Sequence, residues 1–253
     1  MIYFDGDILL YKAGFSVESR SPSGEKVVEP LYFAIHNLNS IIKKVLHALK
    51  STEYKVYISG PPERNYRYQV AKTKPYKGNR KESDKPVYYR ELKAYLLKNH
   101  PTHDSGMIGE ADDALGHFLS TDPTAIVVSI DKDLLMVPGK HYNPDKKLLI
   151  EAKDPGELWI EVTQSNKKIL RGHGFKWFCA QMLLGDPVDN IPGLKGYGPV
   201  KTLTKLNKCT TIRSMWSRVV REYRKMKCID RLNEIQQLLW IQRYLPFERI
   251  LKK

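Results

Sequence analysis

Apolar positions along the chain change period as it proceeds. Residues 2–4, Ile2-Tyr3-Phe4, are a short β-prone run that ends in Asp5-Gly6-Asp7. Ile35, Leu38, Ile42, Val45 and Leu49, flanked by Ile41 and Leu46, recur at the helical period and predict a helix. Residues 55–58 read as the next strand, stopped by Ser59-Gly60-Pro61-Pro62. Strand, helix and strand in that order suggest a right-handed βαβ unit and a parallel sheet. Residues 87–97 predict a helix with Leu92, Tyr95 and Leu96 inward. Residues 125–129 have the unbroken apolar character of a strand buried on both faces. Residues 147–150 and 158–162 are expected to pair as a hairpin across Asp154-Pro155-Gly156. From about residue 170 the pattern turns helical. A helix over 175–184 precedes a glycine-rich turn and a helix carrying Val200, Leu203 and Leu206. Basic amphipathic helices follow over 212–226 and 232–244, with Trp216, Val219, Val220, Tyr223, Leu238, Leu239 and Ile241 as core positions.

Charge changes the picture. Against 42 Lys and Arg stand 28 Asp and Glu, a net charge of +14 that favours a polyanionic partner such as nucleic acid. Much of the excess lies in residues 63–86, where Arg64, Arg67, Lys72, Lys74, Lys77, Arg80, Lys81 and Lys85 interleave with Tyr66, Tyr68 and Tyr76. Most charge runs are solvated loops. Cations alternating with rings also suit a nucleic-acid strand, charge for phosphates and rings for bases. If 76–80 is helical, Lys77 and Arg80 share a face and can grip one phosphate. The three cysteines form no metal pattern and read as reduced thiols. Residues 1–10 lack a basic leader and no apolar run spans a membrane, so a cytoplasmic protein is expected.

The acids are few and placed where elements begin or end. Gly109-Glu110-Ala111-Asp112-Asp113 opens a helix, with Glu110 and Asp113 expected on one face and Asp112 turned aside. Acids in a first turn complement the helix dipole, but three in four residues of a basic chain ask for more. Asp5 and the Asp131-Lys132-Asp133 triplet follow strands, where ligands bind in open parallel sheets. Asp186 and Asp189 lie after the helix over 175–184. Gathered in one pocket, these carboxylates repel, and hard divalent cations with oxygen ligands relieve the repulsion. Two such ions suit phosphodiester displacement. No His or Cys set favours zinc. The turn Gly193-Leu194-Lys195-Gly196-Tyr197-Gly198 follows a helix and not a strand, so it is no dinucleotide fingerprint. It suits backbone contact with a phosphate at a helix N-terminus, which reads no base sequence.

Tyr3-Phe4-Asp5-Gly6, Pro75-Tyr76-Lys77-Gly78-Asn79-Arg80, the 109–113 and 129–133 segments, and 185–193 running on through Gly196-Tyr197-Gly198 occur in family order over residues 1 to about 205. In this the chain resembles the 5′-nuclease superfamily: flap endonucleases, the 5′-nuclease domain of bacterial DNA polymerase I and, most closely, phage 5′-exonucleases. The resemblance implies an α/β, PIN-like, mostly parallel sheet flanked by helices over 1–169, with a helical arch at about 61–90. A helical DNA-binding lobe over 170–253 would carry a helix–three-turn–helix at about 174–206. It implies Asp5, Glu110, Asp112, Asp113, Asp131, Asp133, Asp186 and Asp189 as ligands of two magnesium ions, with manganese able to substitute. Lys77 and Arg80 would touch the scissile phosphate, with Tyr76 beside a base. Gly193, Lys195, Gly196, Gly198 and Lys201 would hold duplex, with potassium at the turn. The implied activity is magnesium-dependent 5′-3′ exonuclease and flap endonuclease action by a monomer. Its substrates would be DNA 5′ ends, flaps or nicks, and RNA–DNA hybrids.

One departure stands out. Ser59 occupies the end of the second strand, where the family has an acid. Asp7 is the candidate to compensate, with helix N-capping as its competing role. Two other functions compete: a DNA-junction binder whose metal site has decayed at Ser59, and a PIN-type ribonuclease, against which the glycine turn speaks.

Overall fold

The computed structural model describes residues 1–81, 85–105 and 109–244. A six-stranded sheet runs through its middle in the order β5-β4-β1-β6-β7-β8, made of β1 (Ile2–Asp5), β4 (Tyr54–Ile58), β5 (Thr102–Asp104), β6 (Ile126–Val128), β7 (Gly139–Asn143) and β8 (Leu148–Ala152). All neighbours are parallel except β7 and β8.

Period-two alternation sends apolar side chains to both faces. Ile2, Phe4, Val56, Ile58 and Val128 pack with Leu9, Leu10, Leu38, Ile42, Leu92 and Leu96. Those partners belong to α1 (Gly6–Phe15), α2 (Leu31–Ala48) and α4 (Tyr89–Asn99). Tyr3, Tyr57 and Val127 face the other way, against Ala114 and Leu115 of α5 (Ala111–Thr121). Tyr3 stacks on Phe118 with ring centroids 4.5 Å apart. This second core runs on without a break to Phe178 of α6 (Gly174–Leu184), Leu206 of α7 (Pro199–Asn207), Tyr223 of α8 (Ile212–Lys225) and Leu238 of α9 (Leu232–Leu239).

The expected βαβ order holds with an insertion. A small hairpin, β2 (Glu18–Arg20) with β3 (Lys26–Val28), separates α1 from α2. The expected pairing of residues 147–150 with 158–162 does not form. β8 pairs back on β7, and β9 (Leu158–Val162) pairs forward with β10 (Lys168–Gly172). Local turn chemistry decides this. Asn143 Oδ1 accepts the N–H of Asp145 and Lys146, and Asn166 takes φ 58° between β9 and β10, so each turn closes its own flanking strands.

The segment expected as a helical arch contains α3 (Tyr66–Val70) and turns; residues 82–84 of it lie outside the described residues. It is fastened along its middle, to α9 and to the loop after α6. Glu234 of α9 accepts the N–H of Lys72 and Thr73 at 2.8 and 2.7 Å. Asn79 donates to Pro187 O and Asn190 to Pro75 O. Among the described residues no helix is long and apolar enough to cross a membrane.

Candidate active site

The carboxyl ends of the parallel strands lead into one cleft of about 480 Å³. Into it β1 brings Asp5, the first turn of α1 brings Asp7, and the β6 end brings Asp131 and Asp133. The start of α5 adds Glu110 and Asp112, and the loop after α6 adds Asp186 and Asp189. Lys77, Arg80 and Tyr76 also line it.

Asp5 is both the strand end and the N-cap of α1. Its Oδ1 accepts the Ile8 N–H at 3.2 Å and its Oδ2 the Ser129 hydroxyl at 2.7 Å. The turn can be this tight because Gly6 lies against β4, where a Cβ would come 2.5 Å from Ile58 and 2.7 Å from the Tyr57 carbonyl. Ser129 Oγ accepts the Asp131 N–H, and Asp131 Oδ1 accepts the Asp133 N–H, so the triplet is a locked turn. Asp133 accepts from Gln181 Nε2 at 2.5 Å and from Lys132 at 2.7 Å.

Burial, then the charges of its neighbours, pushes the Asp5 carboxyl up to about 7. Asp112 is raised well above the ordinary range by burial and by Asp131, Asp5 and Glu110. Asp133 is raised likewise by burial and by Asp131. Glu110 behaves differently: burial acts to raise it, but Lys77 and Arg67 outweigh that and hold it below the usual range.

Lys77 and Arg80 are in place, though not on a helix. Lys77 takes φ 53°, the left-handed region, and its N–H donates to Asp189 O at 3.0 Å. That turn ends any helix, at a cost of about 1 kcal/mol or more. It directs Lys77 Nζ to Glu110 and Arg80 to Asp189. Tyr76 is not an exposed ring. It is 4% accessible, and its hydroxyl bridges Glu110 and Asp189, 2.8 and 3.0 Å away. The exposed ring is its edge-on neighbour Tyr68.

Helix phase places two acids otherwise than expected. Glu110 is the non-helical N-cap, so it is Glu110 and Asp112 that face the cleft, and Asp113 that turns away. Asp113 is fully buried, with Arg67 donating to its two oxygens at 2.6 and 2.9 Å. It also accepts the N–H of Gln242 and of Glu110. Arg67 spends its other donors on Leu238 O and Trp240 O. Asp7 is not the N-cap of α1; it is the second helical residue, within the first turn, and accepts the Ser59 N–H.

Gly193 and Gly196–Gly198 form the turn between α6 and α7. A Cβ on Gly193 would lie 2.1 Å from Leu184 O, whereas Gly198 meets nothing within 4 Å, leaving its backbone open to approach. Lys195 is exposed; Lys201 donates to Gly196 O and lies over the Tyr197 ring. The sequence reading passed over Gln181, Ser129 and the role of Arg67. Gln181 did carry a signal, as the one polar side chain after Lys176 in an otherwise apolar helix.

As the side chains stand, no three His, Cys, Asp or Glu among the described residues are grouped to hold a metal ion. Lys77, Arg80, Ser129 and the Ser59 N–H engage acids instead, and the Tyr76 hydroxyl engages two of them. The donor set still suits a hard cation. It is all oxygen, with no His or Cys on the cleft wall; Asp5 is buried and Asp112 and Asp133 are half-buried, and all three carboxyls are raised by desolvation and by neighbouring carboxylates, Asp131 being common to the three.

No family model matches the chain. Over 225 residues it is 22% identical to a 5′-3′ exonuclease of Buchnera aphidicola, covering 87% of this chain and 74% of that protein. Over 241 residues it is 24% identical to a 5′-3′ exonuclease of Aquifex aeolicus, covering 89% and 76%. Among solved structures, the T5 D15 protein co-crystallised with metal ions superimposes with a TM-score of 0.58 at 13% identity, over 94% of this chain and 97% of that one. The chain has the fold of the 5′-nuclease superfamily. The bacteriophage T5 flap endonuclease, in a pseudo-enzyme-product complex with DNA and metal ions, also matches, with a TM-score of 0.54 at 13% identity over 100% and 99% of the chains. On this 5′-nuclease fold the acid cleft lies at the carboxyl ends of the strands, and the α6–α7 glycine turn follows directly on Asp186 and Asp189.

Proposed function

We propose that the protein is a metal-dependent, structure-specific 5′ nuclease that hydrolyses phosphodiesters of DNA near 5′ ends, flaps or nicks, as exonuclease and flap endonuclease. The observation that carries this reading is the convergence of eight carboxylates from separate elements on one cleft, with Lys77 and Arg80 among them. The named relatives, 5′-3′ exonucleases and a flap endonuclease with DNA and metal ions, support it.

Two magnesium ions, replaceable by manganese, fit the oxygen-only donors, with Asp5, Glu110, Asp112, Asp131, Asp133, Asp186 and Asp189 as holders and Asp7 beside them. When bound they supply charge neutralisation at the attacking and leaving oxygens of the phosphodiester.

The chain's own residues do the rest. Ser129 and Gln181 fix the Asp5 and Asp133 carboxylates so that little reorganisation is needed when substrate enters. Lys77 and Arg80, drawn in by Glu110 and Asp189, stand ready to exchange those carboxylates for a phosphate. Tyr76 pins both acids from beneath. The open backbone at Gly196 and Gly198, with Lys195 and Lys201, takes the duplex, aided by potassium. Such contacts ignore base sequence and accept DNA or an RNA–DNA hybrid. The protein acts as a monomer in the cytoplasm.

A 5′-labelled flap substrate, assayed with and without magnesium beside a single-stranded RNA, tests the reading. Magnesium-dependent release of the labelled arm is expected. Binding without cleavage points to a junction-binding protein, and preferential cleavage of the RNA to a PIN-type ribonuclease; either overturns the proposal.

A further inference from the structure

Next to the acid cleft lies a second one, of about 490 Å³, between the two hairpins. Strand register fixes its walls. In β7–β8, His141 lies opposite Ile150 and Asn143 opposite Leu148; in β9–β10, Arg171 lies opposite Trp159. One wall is therefore an indole ring and the other is aliphatic. Trp177 lines the cleft from α6, its indole N–H donating to Lys132 O at 3.1 Å.

Two features of the lining indicate an occupant. The first is exposed ring area: Trp159 is 46% accessible and Leu148 48%, whereas Trp177 and Trp240 are buried and Trp216 is half-buried. The second is that acids on the rim are already engaged. Glu161 accepts from Arg171 at 2.7 Å, and Asp145 pairs with Lys12. What remains for an incoming group is the Trp159 ring with the His173 imidazole tilted beside it, the aliphatic side chains of Leu148 and Ile150, the Asn143 amide and the cation of Lys146. That chemistry takes a flat, neutral, π-faced group attached to a phosphate.

The location narrows the choice. Ile130, Asp131, Lys132 and Arg171 line both clefts, so the two share a wall. A chain held in the acid cleft by its phosphate can reach the second cleft with its neighbouring base. We propose that this second cleft is a nucleobase subsite, in which an unpaired base of the nucleic-acid strand stacks on Trp159 while its phosphates continue into the acid cleft. The subsite rests on the nuclease reading of that cleft. Stacking is tolerant of base identity, so the subsite selects for an unpaired state and not for sequence.

The test uses flap DNA with 2-aminopurine moved one position at a time through the unpaired arm, mixed with full-length protein in EDTA. One or two positions next to the junction are expected to change 2-aminopurine fluorescence on binding, with quenching of tryptophan emission. Trp159→Ala should abolish both signals and weaken flap binding by about 5- to 100-fold. Its affinity for a blunt duplex should stay at the wild-type value, and Trp159→Phe should retain most flap binding. Trp159 is half in solvent, so neither variant threatens the fold. Wild-type flap affinity in Trp159→Ala, with no position responding, overturns the subsite while leaving the nuclease reading intact. Failure of the wild-type protein to bind either DNA overturns both.

Discussion

The carboxylate of Asp7 accepts the backbone N–H of Ser59 through both oxygens, at 3.3 and 3.2 Å. Ser59 directly follows β4, and its N–H is taken by an acid from the first turn of α1. The Ser59 hydroxyl is used elsewhere, accepting the Ala111 N–H at the start of α5 at 3.0 Å. Asp7→Asn keeps an oxygen for the Ser59 N–H but removes the charge. It should melt within about 1 °C of wild type without metal, yet require several-fold more magnesium for half-maximal cleavage. Ser59→Asp added to it should restore the wild-type requirement. A magnesium titration of activity checks this, and an unchanged midpoint in Asp7→Asn counts against compensation.

Asp113 and the cleft acids should separate experimentally. As the buried partner of Arg67, Asp113 should report on stability: Asp113→Asn leaves a guanidinium buried against an uncharged amide and should cost about 3–5 kcal/mol. The magnesium midpoint of whatever remains folded should be unaltered. Asp133→Asn should do the reverse, abolishing cleavage while DNA affinity stays level or rises. Denaturant melts beside activity titrations distinguish the two.

Lys77 should act at the transition state. Lys77→Ala should lower kcat by about 10²-fold, the scale of losing one preorganised electrostatic contact. An effect confined to KM would mark Lys77 as a binding cation only.

His141 is buried on β7 with Nε2 against Val137 O, and burial lowers its pKa to about 4. The unfolded chain, with a histidine near 6.5, binds the proton more readily. The stability linked to this group is complete above pH 6.5 and is lost as pH falls from there toward 4, on the order of 3 kcal/mol in all. His141→Gln should be less stable at pH 7.5, but its stability should fall less steeply than wild type between pH 6.5 and 4.5. Urea melts at several pH values give the difference in slope.

Period and placement made the sheet and the acid cleft legible. Ile2, Phe4, Val56 and Ile58 alternate as buried strands must, and acids at the ends of those strands had one edge to go to. Direction within a turn was not legible. The 3.6-residue period assigns faces only once the first helical residue is known, and Glu110 as N-cap shifts that phase, exchanging the roles of Asp112 and Asp113. A similar uncertainty, of two residues, made Asp7 a candidate cap where Asp5 is the cap. Tyr76 was read by composition as a surface ring, but its ring belongs to the apolar core and only its hydroxyl reaches the two carboxylates. Hairpin partners were misjudged because Asn143 and Asn166 act over three residues, below the scale of a periodicity argument.

Arg67 is held by carbonyls 171 and 173 positions further along the chain, and Asp113 by an amide 129 positions further. The clamp that joins the first arch helix to the acidic helix is thus assembled from the last described turn of the polypeptide. Contacts of such separation carry a loop-closure cost that the packing around them must offset. A substitution within residues 238–242 is therefore felt at the start of the acidic helix, far earlier in the sequence.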